Sequence, residues 1–159
     1  MDGRSSDALN IRQFATEQTL GDVSAYLTDL SRVLAALPRE PLAQIAQLLL
    51  DAAREGRTVF IFGNGGSAAT ASHLACDLAK TASTPGHPRL RALALTDNVP
   101  LLTAWGNDDS YDVVFAEQLK TFVRWRDIVI AISASGNSPN VLRGVEAARE
   151  AGAVVVGIT

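Results

Sequence analysis

Apolar residues recur along this chain with two different periods, and the change falls near Thr58. Before it, Leu20, Val23, Leu27, Leu30, Leu34 and Leu37 stand three or four positions apart, the spacing that lines one face of an α-helix. Pro38, which lacks an N–H and clashes with a preceding turn, ends that helix. A second helix from about Arg39 to Arg54 carries its own apolar face through Leu42, Ile45, Leu49, Ala52 and Ala53, so an antiparallel helical hairpin is expected. The leucine stripe needs a partner. It is short for a free-standing coiled coil, which leaves its own domain or another subunit as the surface it packs on. The polar stretch Met1 to Asn10 is expected to fray.

After Thr58, short apolar runs alternate with helical stretches: Val59 to Phe62, Leu90 to Leu95, Ile128 to Ile132 and Val154 to Ile158. Continuous apolar runs mark strands buried on both faces, which occur in parallel sheets covered by crossover helices. Those helices are expected to start near Ser67, Val99, Asp112 and Pro139, the last with Ser138 as its N-cap and Gly152 as its stop. Ser83 to Pro88 reads as a turn-rich loop, and Trp105-Gly106-Asn107-Asp108 is expected to lie between helices. No repeat or linker interrupts this pattern. The fold class is therefore α/β, a three-layer α/β/α parallel sheet in residues 58–159, with residues 1–57 as a tail and hairpin of the same domain.

Composition narrows the partners. Charged residues make up 19% of the 159 positions and the net charge is −3, so the basic excess that non-specific nucleic-acid binding requires is missing. Cys76 is the only cysteine, which excludes an internal disulfide or a Cys-rich zinc site and suits a reducing compartment. The apolar runs are too short to span a bilayer and the N-terminus has no signal-peptide core. A soluble cytoplasmic protein without nucleic-acid or membrane partners is expected.

Two of the strands run into small, polar loops that open helices: Gly63-Asn64-Gly65-Gly66-Ser67 and Ser133-Ala134-Ser135-Gly136-Asn137-Ser138. Small residues let backbone approach a ligand, and a helix start offers unpaired N–H groups and the positive end of the helix dipole. A phosphate is the natural occupant. Gly63-x-Gly65-x-x-Ala68 also matches the dinucleotide fingerprint, but that fingerprint needs an acidic residue about twenty positions on, and the nearest at a strand end is Asp97, about thirty on. Neither loop ends in the Gly-Lys-Ser/Thr of the phosphate-loop NTPases, so no nucleotide cofactor is expected. Serine hydroxyls at 133, 135 and 138 add uncharged donors, although in an ordinary strand-to-helix turn Ser138 would simply cap the helix.

His73 and Asp77, four apart on the helix opened by the first loop, share one face, a spacing that serves metal binding or acid/base work as well as a plain structural contact. Cys76 beside them reads as a small core residue, and His87, between loop prolines, as exposed. Asn107-Asp108 reads either as a helix terminator ahead of Asp109-Ser110 or as a carboxylate set to accept bonds from sugar hydroxyls.

At these motifs the sequence resembles the sugar isomerase (SIS) domain family, and within it the phosphoheptose isomerases, which convert sedoheptulose 7-phosphate to a heptose 7-phosphate. The similarity runs from Thr58 to Thr159 through Gly63 to Ala69, His73, Gly106-Asn107-Asp108 and Ile132 to Val141. The expected hairpin also resembles that subgroup's leading helices, which help to build a homotetramer. The resemblance implies that Asn64, Gly65, Gly66 and the adjoining Ser67 bind substrate together with Asn107 and Asp108, and that Ser133, Ala134, Ser135 and Ser138 surround its phosphate. It further implies zinc, with His73 as one ligand and Asp77 as a second ligand or the general base. The family reaction moves a proton between C1 and C2 through an enediol, using a glutamate on that helix and a histidine nearer the C-terminus.

Asp77 stands where the family has the glutamate. One methylene fewer draws the carboxylate back by roughly a C–C bond length, and misplacement on the order of 1 Å can cost about a hundredfold in rate. The family's distal segment, with a glutamine, the histidine and further zinc ligands, has no counterpart up to Thr159. The sequence is thus expected either to be a piece of a longer chain or to lack the family chemistry. Two readings follow. One is an aldose–ketose isomerase of a seven-carbon sugar phosphate, assembled as a tetramer or dimer through the N-terminal helices. The other is a non-catalytic SIS module that binds a phosphosugar or a protein partner, as relatives resembling the bacterial replication-initiation regulator do.

Overall fold

The structure, a computed structural model, describes residues 17–159; Met1 to Asn10, expected to fray, lies outside them. Two compact units divide the chain, the first ending at Pro41 and the second running from Leu42 to Thr159. The first holds helix α1 (Glu17–Ala36), which stops ahead of Pro38 as expected. Its stripe of Leu20, Val23, Leu27, Leu30 and Leu34 is exposed. Helix α2 (Arg39–Glu55) follows, and within the second unit its Ala52 is fully buried.

The second unit continues through β1 (Thr58–Gly63), α3 (Gly66–Cys76), β2 (Arg91–Ala94), α4 (Val99–Asp108), α5 (Ala116–Phe122), β3 (Ile128–Ile132), α6 (Pro139–Glu150) and β4 (Val154–Ile158). Its four strands are all parallel, in the order β2-β1-β3-β4. Alternate side chains of the central strands serve two cores. Phe60, Phe62, Val129 and Ala131 meet Val114, Phe115, Leu119, Val141 and Ala148 on one face, and Val59, Ile61, Ile128 and Ile130 meet Ala52, Ala71 and Ala75 on the other. This is the expected three-layer arrangement.

Three expectations need correcting. Trp105-Gly106-Asn107-Asp108 is the last turn of α4 and not a connection between helices. Asn98 accepts from Leu101 N to start that helix, and Leu102 and Trp105 pack on the core, which outweighs the poor helix propensity of Gly106 and Asn107. The helix expected near Asp112 is a 3₁₀ turn, Tyr111–Val113, with α5 starting only at Ala116. Cys76 is exposed, because the inward positions of α3 are Ala71 and Ala75.

Candidate functional site

Strand order decides where a ligand can sit. From β1 the chain crosses to β2 on one side, and from β3 it crosses to β4 on the other, so the connections diverge between the carboxyl ends of β1 and β3. A crevice at such a switch point is the usual binding place of an open parallel sheet. Gly63 pairs with Ile132 as the last register of the two strands, and both small-residue loops leave from there side by side. The approach is close. A Cβ on Gly63 would stand 2.6 Å from Ile132 O and 2.7 Å from Ser67 Cβ, so any side chain there would push the loops apart.

Between the loops lies a cleft of about 240 Å³ lined by Asn64, Ser67, Ile132, Ser133, Ala134, Ser135 and Ser138. Every lining side chain is uncharged. An anion held here relies on N–H dipoles and helix starts instead of on arginine or lysine. In the first loop Ser67 N and Ala68 N already donate to Asn64 O (2.9 and 3.3 Å), leaving the N–H groups of Gly65 and Gly66 as the open donors of that turn. In the second, Ser133 N donates to Ile158 O (2.9 Å), Gly136 N to Ser133 O (2.9 Å) and Asn137 N to Ser135 Oγ (3.3 Å). Ala134, Ser135 and Ser138 keep theirs. Gly65 and Gly136 turn the loops at φ of 53° and 66°, the left-handed region that glycine enters without strain.

Ser138 occupies the N-cap position of α6, but its hydroxyl makes no capping bond and lies instead 3.3 Å from Ser133 Oγ. Two hydroxyls are thus gathered at the cleft. The capping alternative fails because the serine's side chain is turned to its neighbour and not back onto the first turn.

Asn64 is more committed than its sequence context implied. Its Nδ2 donates to Asn140 Oδ1 (2.8 Å), Asn140 Nδ2 donates back to Asn64 Oδ1 (2.9 Å), and Tyr111 OH donates to the same oxygen (3.2 Å). Asn140 and Tyr111 were not singled out in the sequence. A polar residue one place after Pro139 looks like helix surface, yet Asn140 is 2% exposed.

The other expected residues gather separately. His73 Nε2 lies 3.2 Å from Asp77 Oδ2, while Asp77 Oδ1 accepts from Thr81 Oγ1 (3.0 Å). Asp77 opens a π-helical turn, Asp77–Thr81, that continues α3, and its N–H still bonds to His73 O, so the expected i, i+4 geometry is kept. Turns of this kind recur at functional positions in helices. At the end of α4, Asn107 Nδ2 donates to Asp108 Oδ1 (2.8 Å), and both residues are exposed. None of these four lines the cleft between the two loops.

Residues 24–159 match the SIS domain family. The chain belongs to that family. Among its relatives, lincomycin biosynthesis protein LmbN of Streptomyces lincolnensis is 37% identical over 96% of this chain and 58% of its own length. The phosphoheptose isomerase of Rhodospirillum rubrum is 44% identical over 74% of this chain and 62% of its own. This SIS chain therefore spans about three fifths of the length of these two curated relatives. The structure of phosphoheptose isomerase from Neisseria gonorrhoeae superposes with a TM-score of 0.77 at 34% identity, covering 89% of this chain and 72% of that one. The family match, residues 24–159, takes in all four strands and both loops that line the cleft.

Proposed function

We propose that this SIS chain binds a sugar phosphate at the switch-point cleft and, as a phosphoheptose isomerase, interconverts sedoheptulose 7-phosphate and an aldose heptose 7-phosphate. The observation that carries the reading is the pair of loops converging on one uncharged cleft, with hydroxyls of Ser133 and Ser138 and open N–H groups at Ala134, Ser135 and Ser138. These donors take the phosphate. Neutral donors hold a phosphate monoester without the grip of an arginine cluster, which lets the product leave. Gly65, Gly66 and Ser67 from the first loop, and Asn107 and Asp108 from the end of α4, serve the sugar.

In this reading Asp77 is the general base. It removes the proton from C1 of the ketose, the electron pair forms the enediol with the C2 carbonyl oxygen taking a proton, and reprotonation at C2 with loss of the O1 proton gives the aldose. His73 at 3.2 Å orients the carboxylate. The same nitrogen and oxygen are spaced like two ligands of one zinc ion, for which tetrahedral geometry gives about 3.3 Å. Catalytic zinc takes three protein ligands, and no cluster of three candidate ligands occurs among the described residues. His73 and Asp77 therefore fit a zinc site only in part.

The reading also has the exposed stripe of α1 build a homodimer or homotetramer, and it places the protein in the cytoplasm, since charged sugar phosphates do not cross bilayers unaided. No helix among the described residues is long and apolar enough to cross a membrane. Incubation with sedoheptulose 7-phosphate, followed by NMR with and without added zinc, is expected to show the aldose product. Absence of turnover in both conditions rejects the isomerase.

A second reading, a non-catalytic phosphosugar module, is favoured by one feature: the cleft is complete without His73 or Asp77. Binding of the sugar phosphate without turnover would select it.

A further inference from the structure

We propose that Asn140 and Tyr111 are positioning residues of the phosphosugar site, acting through the side chain of Asn64 to hold the first loop at a fixed distance from the second. The inference rests on the phosphosugar reading above. Its starting point is an amide buried where an apolar residue would cost less. Asn140, in the first turn of α6, is 2% exposed and lies next to Val141 of the core. Burying an amide is unfavourable unless its groups are paired, and here the pairing is specific and long-range. Asn64 and Asn140 exchange two hydrogen bonds, of 2.8 and 2.9 Å, across 76 positions of sequence. Each amide gives and receives, so the pair has one geometry.

Tyr111 adds a third point. Its hydroxyl donates to Asn64 Oδ1 at 3.2 Å, which saturates both lone pairs of that oxygen. Asn64 then keeps a single free N–H, and its side chain can make at most one bond to a ligand. Its chief service is mechanical. It ties the β1–α3 loop to the start of α6 and to the turn after α4, three segments that local structure alone would leave independent. The phosphate donors sit on the second loop and the α6 start, whereas the sugar donors Gly65 and Gly66 follow Asn64. Fixing Asn64 therefore sets the distance between the phosphate end and the sugar end of the ligand.

This arrangement separates two ligands. A sugar phosphate touches both loops and depends on their spacing, while inorganic phosphate is held by the second loop alone. Tyr111→Phe removes one bond at an exposed position and is expected to weaken sedoheptulose 7-phosphate by roughly three- to tenfold. Asn140→Ala and Asn64→Ala are each expected to weaken it by about tenfold or more, and the double variant by no more than the worse single one, because all three remove the same clasp. Inorganic phosphate, titrated by NMR on Tyr111→Phe and Asn140→Ala, neither of which lines the cleft, is expected to bind within about twofold of wild type. Thermal melting of each variant checks that it folds; should Asn140→Ala unfold, Tyr111→Phe still carries the test. Equal weakening of both ligands, or unchanged sugar phosphate affinity in Tyr111→Phe and Asn140→Ala, overturns the assignment. A wild-type protein that binds inorganic phosphate but not sedoheptulose 7-phosphate overturns the phosphosugar reading, and this one with it.

Discussion

Single atoms at the loop junction separate what the fold needs from what the chemistry needs. Gly63 is the sharper case for the fold. Its hydrogen faces Ile132 O and Ser67 Cβ at distances no real Cβ tolerates, so Gly63→Ala must shift backbone on one side or the other. Overpacking of this kind costs about 1–3 kcal/mol, and the same shift splays the two loops. The expected outcome is a lower urea midpoint at unchanged slope, together with weaker sugar phosphate binding. In the proposed isomerase reaction Asp77 is the corresponding case for chemistry. It is half-exposed and bonded to His73 and Thr81, and it does not line the cleft, so Asp77→Ala is expected to leave sugar phosphate affinity within about twofold while lowering kcat by roughly a hundredfold or more. Calorimetry for the first quantity and NMR turnover for the second decide it. Turnover equal to wild type would remove Asp77 from the mechanism.

At the scale of elements, much was legible because local pattern and tertiary role coincide. The central strands β1 and β3 are buried along their whole length, and continuous apolar runs announced them. The edge strands were less clear. β2 shrank to Arg91–Ala94 with Leu93 exposed, since only sheet order, a property of the whole chain, tells an edge from a centre. α4 ran through Gly106 and Asn107 because Leu102 and Trp105 pack on the core, an influence that propensity does not contain. The two small-residue loops that line the cleft were legible from composition. The clasp that sets their spacing was not, because Asn64 and Asn140 meet across a distance in sequence that no window spans. Among the described elements, α1 carries the most exposed large apolar side chains. Leu27 and Leu34 lie at its middle and end, each more than half exposed, and burial of several such side chains at about 1.5–3 kcal/mol apiece is enough to hold helices together. Leu27→Glu with Leu34→Glu is expected to convert a dimer or tetramer to single chains by light scattering. A wild-type protein already monomeric at micromolar concentration would remove the stripe from assembly.

For the molecule as a whole, the loops of the cleft, the clasp, and the His73–Asp77 pair all belong to the unit from Leu42 to Thr159. A ligand bound at the switch point therefore stabilises that unit directly, and its effect on melting reports which ligand the site was built for. At a hundredfold excess over Kd a ligand adds about 2.7 kcal/mol to the folded state, which for a chain of this size raises Tm by roughly 5–10 °C. Sedoheptulose 7-phosphate is expected to produce a shift of that order. NAD is expected to produce none at the same concentration, because the first loop lacks the acidic partner for a ribose and the second loop's hydroxyls have no counterpart in dinucleotide recognition. Tyr111→Phe should diminish the sugar phosphate shift without lowering the ligand-free Tm by more than a few degrees, since its bond is at an exposed position. The comparison also tests the charge logic of the site. With no charged side chain lining the cleft, the sugar phosphate shift should decline only modestly between 50 and 200 mM salt, whereas a site built on exposed cations would lose most of its affinity over that range. A shift that vanishes with salt would place the phosphate on surface cations elsewhere and not between the two loops.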